Sequence, residues 1–341
     1  MKPHVLVARL DNAGDVLLAG PAIRAVAAAS RRVTMLCGPR GKDAARLLPG
    51  VDDIVVYAAP WVAFEPRPLK AEETLGVVDE LAAMGLDLAI IFTSFHQSPL
   101  PLALLLRLAG VPFVAATSVD YPGSLLDVRH RVSDDVHEVE RSLDLVRTVG
   151  YELPPADDGR LAVKRTGERP PQLGDEPYVV VHPGVSVPAR AWAPEKSAAL
   201  VEVLAVKGWR VVITGGPAEK ELTARVAGAP RPEVLDLGGE TDLAGLAEVI
   251  AGADAIVVGN TGPAHLAAAV GTPVVSLFAP TVPAVRWRPW RVRHEMLFVD
   301  VPCAGCRARV CPVEGHPCLG GVTVEEVVAA VGRLAPVGAV R

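Results

Sequence analysis

Val258-Gly-Asn-Thr-Gly-Pro-Ala-His-Leu-Ala-Ala-Ala-Val270 joins a β-branched run to an Ala-rich stretch through glycine and proline. Read as strand, turn and helix, it places the end of the strand at Gly259 and an N-cap at Asn260 or Thr261. Gly262 then lets a ligand approach the backbone, and Pro263 suits the first helical turn. Free N–H groups and the positive end of the helix dipole face whatever binds there, most naturally a phosphate. His265, one turn further in, adds a donor. An ordinary well-capped turn has the same pattern, so its neighbours must decide what it is for.

Working outward, the same alternation recurs on both sides. Residues 178–181, 209–214, 255–258 and 273–278 read as buried strands, and 194–207, 219–227, 243–251 and 263–270 as helices. Upstream, strands at 5–10, 33–37, 53–57 and 86–92 alternate with helical stretches at 16–30 and 136–149. Strands alternating with helices indicate βαβ units and parallel sheets. The polar, Pro- and Gly-rich segment 165–177 interrupts the series as a linker does. The expected architecture is α/β, with two Rossmann-like domains at 1–166 and 167–341 whose parallel sheets face a central cleft. The last helix is expected to pack back on the N-terminal domain. Ligands in such sheets bind at the carboxyl ends of strands, where Gly14, Gly184, Gly215, Gly216 and Gly262 fall.

Composition agrees. The chain has 341 residues, enough for two domains, with 50% hydrophobic and 21% charged residues, which excludes a disordered chain. Aromatics at 4% leave Ala, Val and Leu to fill the cores and disfavour an aromatic-rich β-sandwich. A net charge of −5 argues against wholesale nucleic-acid binding, so any anion site is local. Residues 1–10 lack a leader-like layout, and the apolar segment 100–119 holds two internal prolines and Arg107, a poor membrane span. A cytoplasmic protein is expected. A mean hydropathy of +0.32 leaves room for peripheral contact at the inner face of a membrane.

The 258–270 stretch resembles the signature of glycosyltransferase family 9, the lipopolysaccharide heptosyltransferase family. Four further stretches agree in order: Arg9-Leu-Asp-Asn-Ala-Gly-Asp-Val-Leu-Leu-Ala-Gly-Pro-Ala-Ile-Arg24, His137-Glu-Val-Glu-Arg141, His182-Pro-Gly184 with Trp192-Ala-Pro-Glu195, and Gly215-Gly-Pro-Ala-Glu219. The tail from Cys303 is similar to that of the heptosyltransferase II branch. The resemblance implies a GT-B fold and inverting transfer without a catalytic metal. It also implies a nucleotide-sugar donor, ADP-heptose in the best-known members. No two Asp residues are separated by a single residue, so an Asp-x-Asp metal clamp is absent, and side chains and helix ends must meet the charge of the leaving group.

Asp15, after Gly14 at the first strand-to-helix turn, is the candidate general base. Capping or a dipole interaction is the alternative for an Asp in a first turn. Arg190 stands where the family pattern usually has Lys, keeping the charge but as a planar fork. Asn260 stands where Asp is usual; it still accepts a hydrogen bond but brings no charge, which alters how a donor hydroxyl is held. His182, Gly184, Ser186, Glu219, Asn260, Thr261, Gly262 and His265 are the expected donor-binding residues. Gly14, Ser94, His96 and Ser98 are those expected to meet an acceptor, whether glycan, glycolipid or small molecule.

Cys303, Cys306, Cys311 and Cys318 have a spacing that suits a structural zinc, with iron–sulfur ligation, two disulfides (disfavoured in a reducing cytosol) or reduced thiols as the alternatives. Cys37 reads as core. Arg286, Trp287, Arg288, Trp290, Arg291 and Arg293 cluster charge and aromatics, fitting a phosphorylated ligand or a solvated loop. Three functions therefore stay open: an inverting glycosyltransferase needing no cofactor, an epimerase or hydrolase of nucleotide sugars, and a non-catalytic nucleotide-sugar binder.

Overall fold

The computed structural model describes residues 1–62, 67–94 and 97–336, which form two compact units, Met1–Lys164 and Arg165–Arg341. The first unit carries strands β1 (His4–Arg9), β2 (Arg32–Cys37), β3 (Asp53–Val56), β4 (Leu88–Ile91), β5 (Val114–Thr117) and β6 (Val128–His130). The second carries β7 (Val179–His182), β8 (Val211–Gly215), β9 (Val234–Gly238), β10 (Ala255–Gly259), β11 (Val274–Leu277) and β12 (His294–Leu297). All pairings between these strands are parallel.

The first sheet runs β3-β2-β1-β4-β5-β6 and the second β12-β11-β10-β7-β8-β9. Counted within its own unit, the second has the order of the first, the doubly wound arrangement expected from the sequence. Each sheet reverses direction at one place, beside β1 and β4 in the first unit and beside β7 and β10 in the second. The central strands are buried along their length because helices cover both faces, which is why β1, β7 and β10 are aliphatic between their ends. Cys37, at the end of β2, is fully buried, and burial pushes its thiol up to about 11.

One element differs from expectation. The helix expected over 16–30 is two, Ala13–Leu18 and Gly20–Ala29, because Pro21 lacks the N–H that would continue the first. The segment 100–119 divides into helix Leu100–Leu108 and strand β5. Among the described residues no helix is long and apolar enough to cross a membrane. The last helix, Val324–Leu334, packs into the core of its own unit: Val327 and Val331 lie with Leu200, Val275 and Leu277. Its capping box at Thr323 and Glu326 fixes where it starts.

Part of the expected linker is fastened down. Arg165 donates to Glu248 through Nε at 2.8 Å and Nη2 at 2.5 Å, and the Thr166 N–H adds 2.9 Å. The Arg165 hydrogen bonds hold the Glu248 carboxyl down to about 2 from 4.5, against burial. A carboxyl lowered on folding stabilises above its unfolded value, and that stability is lost as pH falls from about 4.5 toward 2. Glu248→Gln is expected to cost about 2 kcal/mol at pH 7, less than the full shift implies because Arg165 is 41% exposed. Urea denaturation at pH 7 and pH 3 checks this. The variant's deficit should shrink at the lower pH, and a deficit that did not change would refute the assignment.

Candidate functional site

At the reversal point of the first sheet, β1 ends in Arg9, a charged residue buried at 2% exposure. Its Nε lies 2.7 Å from Asp11 Oδ2, and its Nη1 lies 3.5 Å from Glu138 Oε2. Nη2 donates to Asp15 Oδ1 at 2.9 Å and to Ser94 Oγ at 3.0 Å. Ser94 Oγ donates onward to Asp11 at 3.3 Å, and Gln97 Nε2 donates to the other Asp11 oxygen at 2.5 Å. Burial works against the charge on Arg9, but Asp11, Asp15 and Glu138 overcome it and hold the guanidinium above its ordinary range. Burial pushes the Asp11 carboxyl up, and the charge on Asp15 adds to that while Arg9 opposes it.

Asp15 differs from its two partners in exposure: 19%, against 7% for Asp11 and 1% for Glu138. It sits in the first turn of helix Ala13–Leu18 beside buried Gly14, with one oxygen fixed by Arg9. Of the three carboxylates it is therefore the one most open to solvent. Ser94 is drawn into the Arg9 network. Ser98 lies at the head of helix Leu100–Leu108, donating to Asp120 at 2.8 Å and accepting from the Leu100 N–H at 3.4 Å. His96 lies outside the described residues.

The reversal point of the second sheet gathers the other predicted residues. His182, closing β7, is 7% exposed with Nδ1 2.9 Å from Thr214 Oγ1. Burial lowers its pKa against the opposing charge of Glu219, which favours the neutral ring. A Cβ on Gly184 would fall 2.1 Å from Glu219 Oε1, so glycine is what lets that carboxylate lie against the backbone. Glu219 Oε2 accepts from the Gly216 N–H at 2.7 Å. Ser186 is exposed on the loop after β7. Arg190 ends the 3-10 turn Pro188–Arg190 and donates from Nη1 to the Asn260 carbonyl at 3.3 Å. With His182 and Trp192 it lines one pocket.

After β10, Asn260 Nδ2 donates to the Ala279 carbonyl at 3.2 Å, while its Oδ1 is buried without a partner. Thr261 is the N-cap of helix Gly262–Val270, yet its hydroxyl makes no cap bond and is likewise buried without a partner. Leaving such groups unmet costs about 1–3 kcal/mol each. Their position beside a helix N-terminus suits a polar, anionic ligand. His265 stands in the first turn, 5% exposed.

Two readings change. Cys303, Cys306, Cys311 and Cys318 are free thiols lining one mostly apolar cavity. Among the described residues no group of three or more His, Cys, Asp or Glu side chains is arranged to hold a metal ion. Spacing supplies a zinc donor set, and the fold brings the four thiols around one cavity without arranging them as a metal site. The basic-aromatic cluster is not simply a solvated loop: Arg286 and Trp290 are buried at 1% and 6%, with Arg286 stacked over Trp287 and Arg291 over Trp290. Arg9, Asp11 and Glu138 were not singled out from sequence. The available signal was a lone Arg at the end of an otherwise apolar strand.

The sequence model of glycosyltransferase family 9 (heptosyltransferase) matches residues 83–316. Lipopolysaccharide heptosyltransferase 1 of Pseudomonas aeruginosa is 35% identical over 179 residues, 51% of this chain and 48% of that protein. The chain spans about half the length of the first curated relatives it matches. Among solved structures, a family 9 glycosyl transferase from Veillonella parvula DSM 2008 superposes with a TM-score of 0.75 at 17% identity, covering 98% of this chain and 97% of that one. The E. coli ADP-heptose lps heptosyltransferase II gives 0.74 at 20% identity, covering 98% of each chain. At these identities the likeness is one of fold, and the fold is GT-B.

Proposed function

The chain belongs to glycosyltransferase family 9, and from that premise we propose that it is a cytoplasmic, inverting, metal-independent glycosyltransferase. It moves a sugar, heptose from ADP-heptose in the best-supported case, to a hydroxyl of a glycan, glycolipid or small-molecule acceptor. The first unit takes the acceptor and the second the donor. Several relatives and neighbours are named as heptosyltransferases, and one solved neighbour contains ADP. The observation that carries the reading is the pair of unpartnered buried oxygens, Asn260 Oδ1 and Thr261 Oγ1, at the N-terminus of helix Gly262–Val270. A sugar diphosphate brings hydroxyls for those acceptors and negative charge for the helix end.

In the reaction the acceptor oxygen attacks the anomeric carbon as Asp15 takes its proton, and the bond from that carbon to the diphosphate oxygen breaks. One such displacement inverts the anomeric centre. Charge then grows on the departing nucleoside diphosphate, where Arg190 and the helix N-terminus stabilise it. The four cysteines have no part in this scheme. Peripheral membrane contact is supported by Leu104 and Leu108, one turn apart on helix Leu100–Leu108 and exposed at 47% and 60%.

Thermal-shift measurements with ADP-, GDP-, UDP- and dTDP-sugars test the donor. A ligand bound only by the native state at 100 times its Kd adds about 2.7 kcal/mol, so the midpoint should rise for the ADP-sugar alone. A preference for a uracil or thymine nucleotide would overturn the ADP assignment. Consumption of the donor without acceptor would favour hydrolysis over transfer.

A further inference from the structure

The segment from Val301 to Cys318 has no regular structure before helix Pro317–Gly320, yet it is tied to both loops that carry donor-site residues. Ala189, the residue before Arg190, is 1% exposed and has both backbone groups engaged by this segment. Its N–H donates to the Arg309 carbonyl at 2.9 Å, and its carbonyl accepts from His316 Nε2 at 3.0 Å. A carbonyl can only accept, which fixes the proton on Nε2. On the other loop, the Gly305 and Arg307 N–H groups donate to the Pro280 and Thr281 carbonyls at 2.7 and 3.0 Å, next to the Ala279 carbonyl that holds Asn260.

A second observation concerns backbone conformation. Among the described residues three non-glycine positions have positive φ, and two are Arg307 at 54° and His316 at 46°, both at contacts just described. Such a conformation costs about 1–2 kcal/mol for a residue with a Cβ and persists only where its surroundings impose it. At position 316 the left-handed turn starts helix Pro317–Gly320 and delivers the ring to Ala189.

We infer that His316 is a positioning residue for Arg190, and that the cysteine-bearing segment is a strap fixing the turn from which Arg190 reaches the donor diphosphate. The inference rests on the proposed function for its consequence but not for its geometry. Without the His316 hydrogen bond, the 188–190 turn keeps the Ala189–Arg309 backbone bond to the strap, and the planar guanidinium of Arg190 loses part of the fixed base that bidentate phosphate recognition needs.

Two readouts test it on the full chain. The first is calorimetric titration with ADP, which carries the diphosphate without the sugar. His316→Ala should weaken ADP roughly five- to tenfold, the loss of about one well-placed hydrogen bond. His316→Gln, whose amide N–H can reach the same carbonyl, should stay within about twofold of the parent. In an Arg190→Ala background, His316→Ala should add nothing, because its effect passes through Arg190. Unchanged ADP affinity in His316→Ala, or a full additional loss in the double variant, overturns the inference. The second readout does not depend on the donor: trypsin cleavage after Arg190, followed by mass spectrometry under native conditions. Faster cleavage in His316→Ala, with the parent rate in His316→Gln, supports the strap, and equal rates in all three refute it. A parent protein that does not bind ADP counts against the functional reading, while the cleavage comparison still decides the strap.

Discussion

Asp15→Asn is expected to lower turnover by about 10²–10⁴-fold while leaving donor affinity within about twofold. The amide keeps an oxygen for the hydrogen bond from Arg9 Nη2, now 2.9 Å long, so the turn at Ala13–Leu18 should hold its shape. What it loses is the ability to take a proton. Since Asp15 is 19% exposed and its neighbours Asp11 and Glu138 are 7% and 1%, neither neighbour can replace it at an acceptor hydroxyl. Initial rates of sugar transfer, paired with calorimetric donor titration, separate the two quantities. Turnover within tenfold of the parent would remove Asp15 from the reaction and leave it a structural partner of Arg9. Equal losses in donor affinity and rate would instead place it in donor binding.

Much of this molecule could be read before its structure was known, for a definite physical reason. A strand buried on both faces must be mostly aliphatic, so β1, β2, β7, β8, β10 and β11 stand out as Val-, Ile- and Leu-rich runs. Edge strands lack that constraint. In β12, His294–Leu297, each residue is half-buried, and in β9 polar Asp236 interrupts the run; neither shows as a strand from its residues alone. The helix Ala71–Ala82 begins with two glutamates and buries little beyond Thr74, Val77, Val78 and Leu81, so its period is easily missed.

The sites divide in the same way. Residues proposed to act beside their own turn, such as Thr261, Gly262 and Asp15, show in local pattern. Contacts between distant segments do not. Nothing local says that Glu138, just after the N-cap of helix Glu138–Thr148, reaches Arg9 at the end of β1. Nor does local pattern show that Glu219 lies against Gly184, or that His316 bonds to Ala189. The cysteines illustrate the converse, since spacing fixes which ligands are available but not whether they meet.

Arg9 carries the other large effect. Arg9→Met is expected to cost about 3–5 kcal/mol at pH 7, because it takes from buried Asp11 and Glu138, and from Asp15 beside them, the guanidinium that all three face. The sign of the pH dependence is particular to this arrangement. Burial and the charge on Asp15 already push the Asp11 carboxyl up, with Arg9 as the largest opposing influence; removing Arg9 leaves burial and like charge opposed only by the smaller effects of the Gln97 and Ser94 hydrogen bonds. A carboxyl whose folded pKa lies above its unfolded value favours the folded state below the unfolded value, and that advantage is lost as pH rises through the folded one. The variant's deficit should therefore shrink on acidification from pH 7 to pH 4, as measured by urea denaturation at both. Arg9→Lys should fall between parent and Met, since a point charge cannot engage three carboxylates as the planar fork does. Adding Asp11→Asn and Glu138→Gln to Arg9→Met should restore part of the stability by removing the buried charges that had faced Arg9. If the triple variant were no more stable than Arg9→Met, the loss would come from packing around the vacated side chain and not from charge. Asp15 would then owe its orientation to the turn of Ala13–Leu18 alone.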